Sequence, residues 1–198
     1  MTMPRDTLAD LSDESLLVLY ANSDPDAARL LTGRLLPRVL GYATRLLGDR
    51  AEAEDVAQDA MMRLWRIAPD WRTGEAAVAT WLYRVVTNLC TDRQRARMRR
   101  RSDALEDVPE PADDAASAEA GLIEADRMAA LQTALDSLPD RQRQAVVLRH
   151  IEGMTNPEIA AILEIGVEAV ESLTARGKRA LSLALAGQRQ ALGYEENV

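Results

Sequence analysis

An acidic stretch in the middle of the chain sets the first limit on what it can fold into. Asp103, Glu106, Asp107, Glu110, Asp113, Asp114, Glu119 and Glu124 fall among alanines and prolines, with no basic residue before Arg127. Such a segment has little apolar surface to set against the entropy of ordering it, so it reads as a flexible linker. The division it predicts is an N-terminal unit over residues 1–101, the linker over 102–121, a C-terminal unit over 122–187 and a polar tail over 188–198. Just before the acids the sign reverses. Residues 84–101 contain Arg84, Arg93, Arg95, Arg97, Arg99, Arg100 and Arg101, opposed only by Asp92. A net charge of −8 speaks against a simple nucleic-acid binder, but it averages over these two opposed segments.

Both units carry apolar residues at helical spacing with few β-branched alternations, which predicts an all-α fold. Ser12 with Asp13 and Glu14 starts a first helix, Asp24 with Pro25 a second, and GDRAEAED a third. Another runs from about Ala77 into the arginines. Pro37 falls inside the second apolar run and is expected to kink or divide it. No stretch approaches the roughly 18 apolar residues of a membrane span, and the first residues lack the pattern of a secretory signal, so the expected location is cytoplasmic, without membrane insertion. A single cysteine, Cys90, and a single histidine, His150, exclude an intramolecular disulfide and cysteine- or histidine-rich metal sites, and no cofactor is expected. No nucleophile, base and orienting group stand at a readable spacing, so an enzyme is not expected.

On the third helix, Ala53, Val56, Ala57, Ala60, Leu64 and Ile67 form one inward stripe. Asp55, Gln58, Met62 and Trp65 fall opposite. Two large apolar side chains on a polar face fit either a partner surface or a face covered by another helix of the same unit. On the next helix Val78, Leu82, Val85, Val86 and Leu89 point inward, and Arg84, Asn88, Thr91 and Arg95 line the far side. Arginine and asparagine suit base edges and phosphates, so this stripe is a candidate nucleic-acid surface. Trp81 and Tyr83 on its flanks fit stacking on unpaired bases or tucking into the core, and Trp81 is expected in the core.

In TNPEIAAILEIGVEAVESLTARGKRAL, residues 155–181, Thr155 and Glu158 form a capping box and Pro157 is acceptable in a first helical turn. Ile159, Ala160, Ile162 and Leu163 give that helix an apolar side. After a turn at Glu164, Ile165 and Gly166, a second helix is predicted to bury Val167, Val170, Leu173 and Leu181 and to turn Glu168, Ser172, Ala175, Arg176 and Arg179 outward. The pair has the pattern of a helix-turn-helix. Gly177, inside the second helix, costs about 1 kcal/mol relative to alanine on propensity alone.

AEDVAQDAMMRLWR, TWLYRVVTNLCTDRQRARMRR and LPDRQRQAVVLRHIEGMTNPEIAAILEIGVEAVESL, in that order around an acidic linker, resemble the extracytoplasmic-function (ECF) sigma factors of bacterial RNA polymerase. The resemblance spans nearly all of residues 24–183. It implies that the first motif docks on the clamp of the polymerase largest subunit, with Glu54, Asp55, Gln58, Asp59, Met61, Met62 and Trp65 as contacts. It also implies that residues 69–79 and the helix through Arg95 open and capture the minus-ten element, with Arg84, Asn88, Thr91 and Arg95 on DNA. The C-terminal unit then reads minus-thirty-five duplex through Glu168, Ser172, Arg176 and Arg179. Core RNA polymerase, including its second-largest subunit, promoter DNA and an anti-sigma factor are the implied partners, and a stress or envelope regulon the implied target. Family members usually place glycine where Glu164 stands and often basic residues near Glu168 and Glu171. Two other classes fit parts of the pattern: a stand-alone helix-turn-helix regulator, and a helical adaptor using Met62, Trp65 and the basic stripe for protein contacts.

Overall fold

The structure is a computed structural model and describes residues 8–103 and 119–186, with side chains described for 8–100 and 126–186. Among the described residues the regular elements are helices: α1 (Asp13–Ala21), α2 (Pro25–Leu47), α3 (Arg50–Ile67), α4 (Val78–Asp103), α5 (Glu119–Asp136), α6 (Asp140–His150), α7 (Asn156–Leu163) and α8 (Val167–Ala186). A 3-10 turn, Ala68–Asp70, closes α3. The all-α expectation holds. Helix α4 continues to Asp103 and α5 begins at Glu119, so both ends of the stretch expected as linker, 102–121, are helical. Residues 104–118 and the tail over 188–198 lie outside the described residues.

The helix starts follow local chemistry. The Ser12 hydroxyl accepts from the Ser15 N–H at 3.1 Å, Asp24 Oδ1 from the Asp26 and Ala27 N–H groups at 3.0 and 3.2 Å, and Asp49 Oδ1 from the Glu52 N–H at 3.0 Å. Each side chain satisfies donors that the first helical turn leaves without a partner. Helix α2 ends at Gly48, whose φ of 66° is a left-handed stop that glycine adopts without penalty.

Ala27, Leu31, Leu35, Val39, Tyr42, Ala43 and Leu46 form the buried stripe of α2, against which α1, α3 and α4 pack. Pro37 does not divide this helix, which runs unbroken from Pro25 to Leu47. It lies on the exposed side, as does Gly33 four residues earlier, so the carbonyl that loses its donor faces solvent and can be hydrated there. The Tyr42 hydroxyl and Thr87 Oγ1 lie 2.9 Å apart across the buried α2–α4 seam.

In the C-terminal unit, α6 packs against α8, and α7 and α8 form a hairpin. The two units do not stand apart. One continuous cluster of buried residues runs from Leu8 through Cys90 and on through Leu135 to Val170. Helix α7 lies against α4, and α5 and α6 lie against α2. The C-terminal end of α2 is the meeting point. Its Leu46 carbonyl accepts from Gln94 of α4 at 2.9 Å and from Arg143 of α6 at 2.8 Å, and its Arg45 carbonyl accepts from Gln132 of α5 at 3.3 Å. Carbonyls at a helix C-terminus lack partners and carry partial negative charge, so a guanidinium there is doubly favoured.

Candidate nucleic-acid interface

Helix α3 presents the first expected surface. Glu54, Asp55, Gln58 and Met62 are exposed, and Met62 keeps 53% of its surface in solvent. Asp59 is partly buried and ion-paired with Arg63 one turn on, at 3.1 Å. Two residues sit deeper: Met61, which only the resemblance placed at a contact, and Trp65, for which the sequence left a covering helix open as the alternative. Met61, expected at a partner surface, keeps only 5% of its area exposed and belongs to the core beside Ala60 and Leu64. Trp65 is half-buried, its ring 4.5 Å from that of Tyr20 at 52°. The reason is α1, which folds back over the end of α3 and covers the flank a lone helix would leave open.

On α4 the inward residues Val78, Leu82 and Val86 are buried, with Val85 and Leu89 partly so. Asn88 and Arg95 are exposed. Arg84 and Thr91 are engaged by the other unit: Arg84 Nη1 lies 3.6 Å from Glu164 Oε1, and Thr91 Oγ1 accepts from Gln144 Nε2 at 3.2 Å. Tyr83 is fully buried and cannot stack on a base. Its hydroxyl donates to Glu152, and burial with that carboxylate beside it pushes the phenol pKa well up, keeping the donor protonated.

The arginine run also has acids that the linear sequence did not reveal. Arg97 meets Asp49 at 3.1 Å, Glu52 at 3.0 Å and the Leu47 carbonyl at 3.1 Å, and Arg93 meets Asp55 at 3.5 Å. The positive charge of this run is therefore partly balanced by the N-terminal half of α3. Cys90 is buried, which pushes its thiol up to about 12 and leaves it unreactive.

Between α3 and α4 a cleft of about 470 Å³ is lined by Ile67, Asp70, Trp71, Arg72, Glu75, Ala76, Trp81 and Arg84. Trp71 and Trp81 meet edge to face, 6.0 Å apart at 89°. Glu14 of α1 holds the loop in place, accepting from Trp71 Nε1 at 3.3 Å and from the Gly74 N–H at 2.8 Å. Sequence reasoning placed this loop in the site but singled out none of its residues. The only available signal was a tryptophan among polar residues, and its partner Glu14 lies far away in sequence.

In the hairpin, Thr155 and Glu158 form the expected reciprocal cap, and the Thr155 hydroxyl and N–H hold the Glu158 carboxyl below its usual range. Glu164 adopts the left-handed conformation, φ 55° and ψ 47°, where glycine would be unstrained. Glu168, Ser172, Ala175, Arg176 and Arg179 are all exposed along one face of α8. Val167 is 41% exposed rather than buried, because the crossing of α7 and α8 brings only Val170, one turn further on, into the core. Leu173 and Leu181 are partly buried. Gly177 is where α8 meets α6: a Cβ there would lie 2.5 Å from Val146 Cγ2 and 3.2 Å from the Gln142 carbonyl.

Residues 31–100 match the family described as Sigma-70 region 2, and residues 128–181 match Sigma-70, region 4. The chain is similar to the RNA polymerase sigma-H factor of Pseudomonas aeruginosa, 30% identical over 193 residues, covering 90% of this chain and 96% of that one. It is also similar to the ECF RNA polymerase sigma factor SigM of Mycobacterium tuberculosis, 36% identical over 172 residues, covering 86% and 83%. Among solved structures, CnrH in complex with the cytosolic domain of CnrY superposes with a TM-score of 0.65 at 26% identity, covering 88% of this chain and 97% of that one. Two sigma regions in the expected order, on a helical scaffold that aligns with such relatives over most of its length, identify this chain as a member of the ECF group of the sigma-70 family, the RNA polymerase subunits that direct transcription initiation.

Proposed function

We propose that the chain docks on the clamp of core polymerase through the exposed face of α3, opens the minus-ten element with α4 and its preceding loop, and reads the minus-thirty-five duplex with α8. The observation that carries this reading is the face of α8. Glu168, Ser172, Arg176 and Arg179 are exposed together, while the opposite side of the helix packs on α6 through Gly177. A helix seated so firmly with one long polar side free fits a major groove. On α3 the supporting feature is Met62, a large apolar side chain left in solvent between Gln58 and Arg66. The cleft floored by Trp71 and Trp81 beside Arg84 has the aromatic and cationic lining that takes an unstacked base.

In this reading the protein catalyses nothing itself and works in the cytoplasm, where the polymerase is. Among the described residues, no helix is long and apolar enough to cross a membrane. An anti-sigma protein is the expected regulator, in keeping with the similarity to CnrH, whose structure was solved with the cytosolic domain of CnrY. A stress or envelope regulon is the expected target. Gel filtration with core polymerase followed by run-off transcription tests the whole reading: co-elution and promoter-dependent transcripts are expected, and a chain that does not bind core overturns it.

A further inference from the structure

We propose that Glu14 of α1 is a positioning residue for base recognition: it holds the loop between α3 and α4 in the shape that receives an unstacked base. A helix outside the matched sigma regions thereby takes part in promoter selectivity. The region 2 match begins at residue 31, whereas α1 ends at Ala21. The proposal rests on the reading of the cleft at Trp71 and Trp81 as part of the minus-ten site.

One carboxylate oxygen makes both anchoring contacts. Glu14 Oε1 accepts from Trp71 Nε1 at 3.3 Å and from the Gly74 N–H at 2.8 Å, across 57 and 60 residues of chain. The loop's own backbone bonds are local, Trp71 N–H to the Ala68 carbonyl at 3.3 Å and Glu75 N–H to the Arg72 carbonyl at 3.5 Å. Gly74 stands at φ 85°, so the turn that offers its N–H to Glu14 is one that glycine adopts without strain. The bond to Trp71 acts on the side chain as well as on the loop. An indole has a single donor, and tying it to Glu14 sets the ring plane that meets Trp81 edge to face, 6.0 Å away at 89°. These two rings line the cleft together with Arg84. Glu14 is in turn held from the core: Arg34 of α2 donates to the Leu11 carbonyl at 2.7 Å and to Asp13 Oδ1 at 3.1 Å, and Leu16 and Leu17 are fully buried. Support therefore runs from α2 through α1 to the loop. A cleft that is formed beforehand needs no ordering when the base enters, and polar groups fixed in place reject a mismatched base more strongly than groups free to follow it. Without Glu14 the loop would adapt to whichever base arrives, and preference would flatten.

The test uses holoenzyme assembled from core polymerase and the full chain, on promoters carrying each of the four bases at every minus-ten position. Glu14→Ala is expected to reduce the preference for the favoured base roughly three- to tenfold at the position the cleft receives, with core affinity and the ranking of minus-thirty-five variants as in wild type. Glu14→Gln, whose amide oxygen accepts the same two bonds, is expected to keep most of that preference. Fluorine NMR of the chain labelled with fluorotryptophan reads the loop directly, the three resonances being assigned through Trp65→Phe, Trp71→Phe and Trp81→Phe. In Glu14→Ala the Trp71 resonance should move toward its position in urea while that of Trp65 stays, and in Glu14→Gln it should remain near the wild-type position. A Trp71 resonance that stays in place in Glu14→Ala, or one that moves while the minus-ten ranking is unchanged, overturns the proposal. So does an equal loss on every promoter with all three resonances displaced, which would make Glu14 a stabiliser of the fold alone. Failure of the underlying reading looks different: Trp81→Ala holoenzyme would keep the wild-type minus-ten ranking, and the cleft would receive no base.

Discussion

At the scale of single residues, Gly177 shows how a cost on one count becomes a requirement on another. Its helix propensity argues for alanine by about 1 kcal/mol, yet a methyl there would press on Val146 and the Gln142 carbonyl. Gly177→Ala is therefore expected to lose at least about 1 kcal/mol net in urea unfolding, where propensity alone predicts a gain. The arginines of α4 divide in the same way. Arg97 is held by two carboxylates and a carbonyl, whereas Arg95 is exposed with only Asp92 of its own helix 3.9 Å away. Arg97→Gln should cost about 1–2 kcal/mol of stability, since bonds to charged groups are lost and two acids are left facing each other. Arg95→Ala should leave the melting temperature in place and weaken promoter binding, and equal effects of the two on both readouts would remove this division. Trp65 and Met62 form a third pair. Trp65→Ala opens a hole against Tyr20 and should cost about 2 kcal/mol in addition to any loss of polymerase affinity. Met62→Ala should weaken core binding alone, so Met62, not Trp65, is the clean probe of the clamp surface.

At the scale of elements, the features legible in the sequence were those decided within a turn or two of the residue concerned. Ser12, Asp24, Asp49 and Thr155 cap their helices because the bond reaches only two or three residues along. The inward stripe of α3 was likewise readable from period alone. What the sequence left open depended on neighbours distant in it: α1 covering Trp65, α6 crowding Gly177, and acids of α3 neutralising Arg93 and Arg97. The capping box of α7 gives a pH prediction. Its hydrogen bonds lower the Glu158 pKa in the fold, so the stability it adds is fully present above the unfolded glutamate pKa and is lost as pH falls through the folded value. Thr155→Ala should cost about 1 kcal/mol at neutral pH and progressively less in acid, as read from urea midpoints across a pH series. On α8, the N-terminal turn enters a groove first, so Glu168→Ala should change which minus-thirty-five variants are preferred. Arg179→Ala, three turns along, should weaken all variants about equally and reduce the salt slope by roughly one ion. Untouched affinity, slope and ranking in both variants would return the α7–α8 pair to a packing hairpin.

At the scale of the whole molecule, the acidic linker was a sound reason to expect two units and a poor guide to how they sit. An acidic composition between the units says nothing of Arg143, which is 9% exposed and reaches from α6 to the Leu46 carbonyl and Asp136. A buried guanidinium with this many acceptors is costly to pull out, and the apolar cluster around it is shared by both units. The units are therefore expected to unfold together while these contacts hold and separately once they are broken. The three tryptophans, Trp65, Trp71 and Trp81, all belong to the N-terminal unit, whereas far-ultraviolet circular dichroism reports helices in both. In wild type the two signals should trace one urea transition with a common midpoint, which is the ordinary criterion for a single cooperative unit. In Gln144→Met/Glu152→Ala/Glu164→Gln, which removes the polar contacts to Thr91, Tyr83 and Arg84, the tryptophan curve should become a single step inside a broader, two-step dichroism curve. Destabilisation alone would move both midpoints together and keep them superposed, so the separation of the curves, not their shift, is the quantity that reports uncoupling. Superposed curves in the variant would mean that the apolar contacts of α7 with α4 hold the units together without the three polar ones. Separated curves in wild type would mean that the two units do not stay packed on one another in solution.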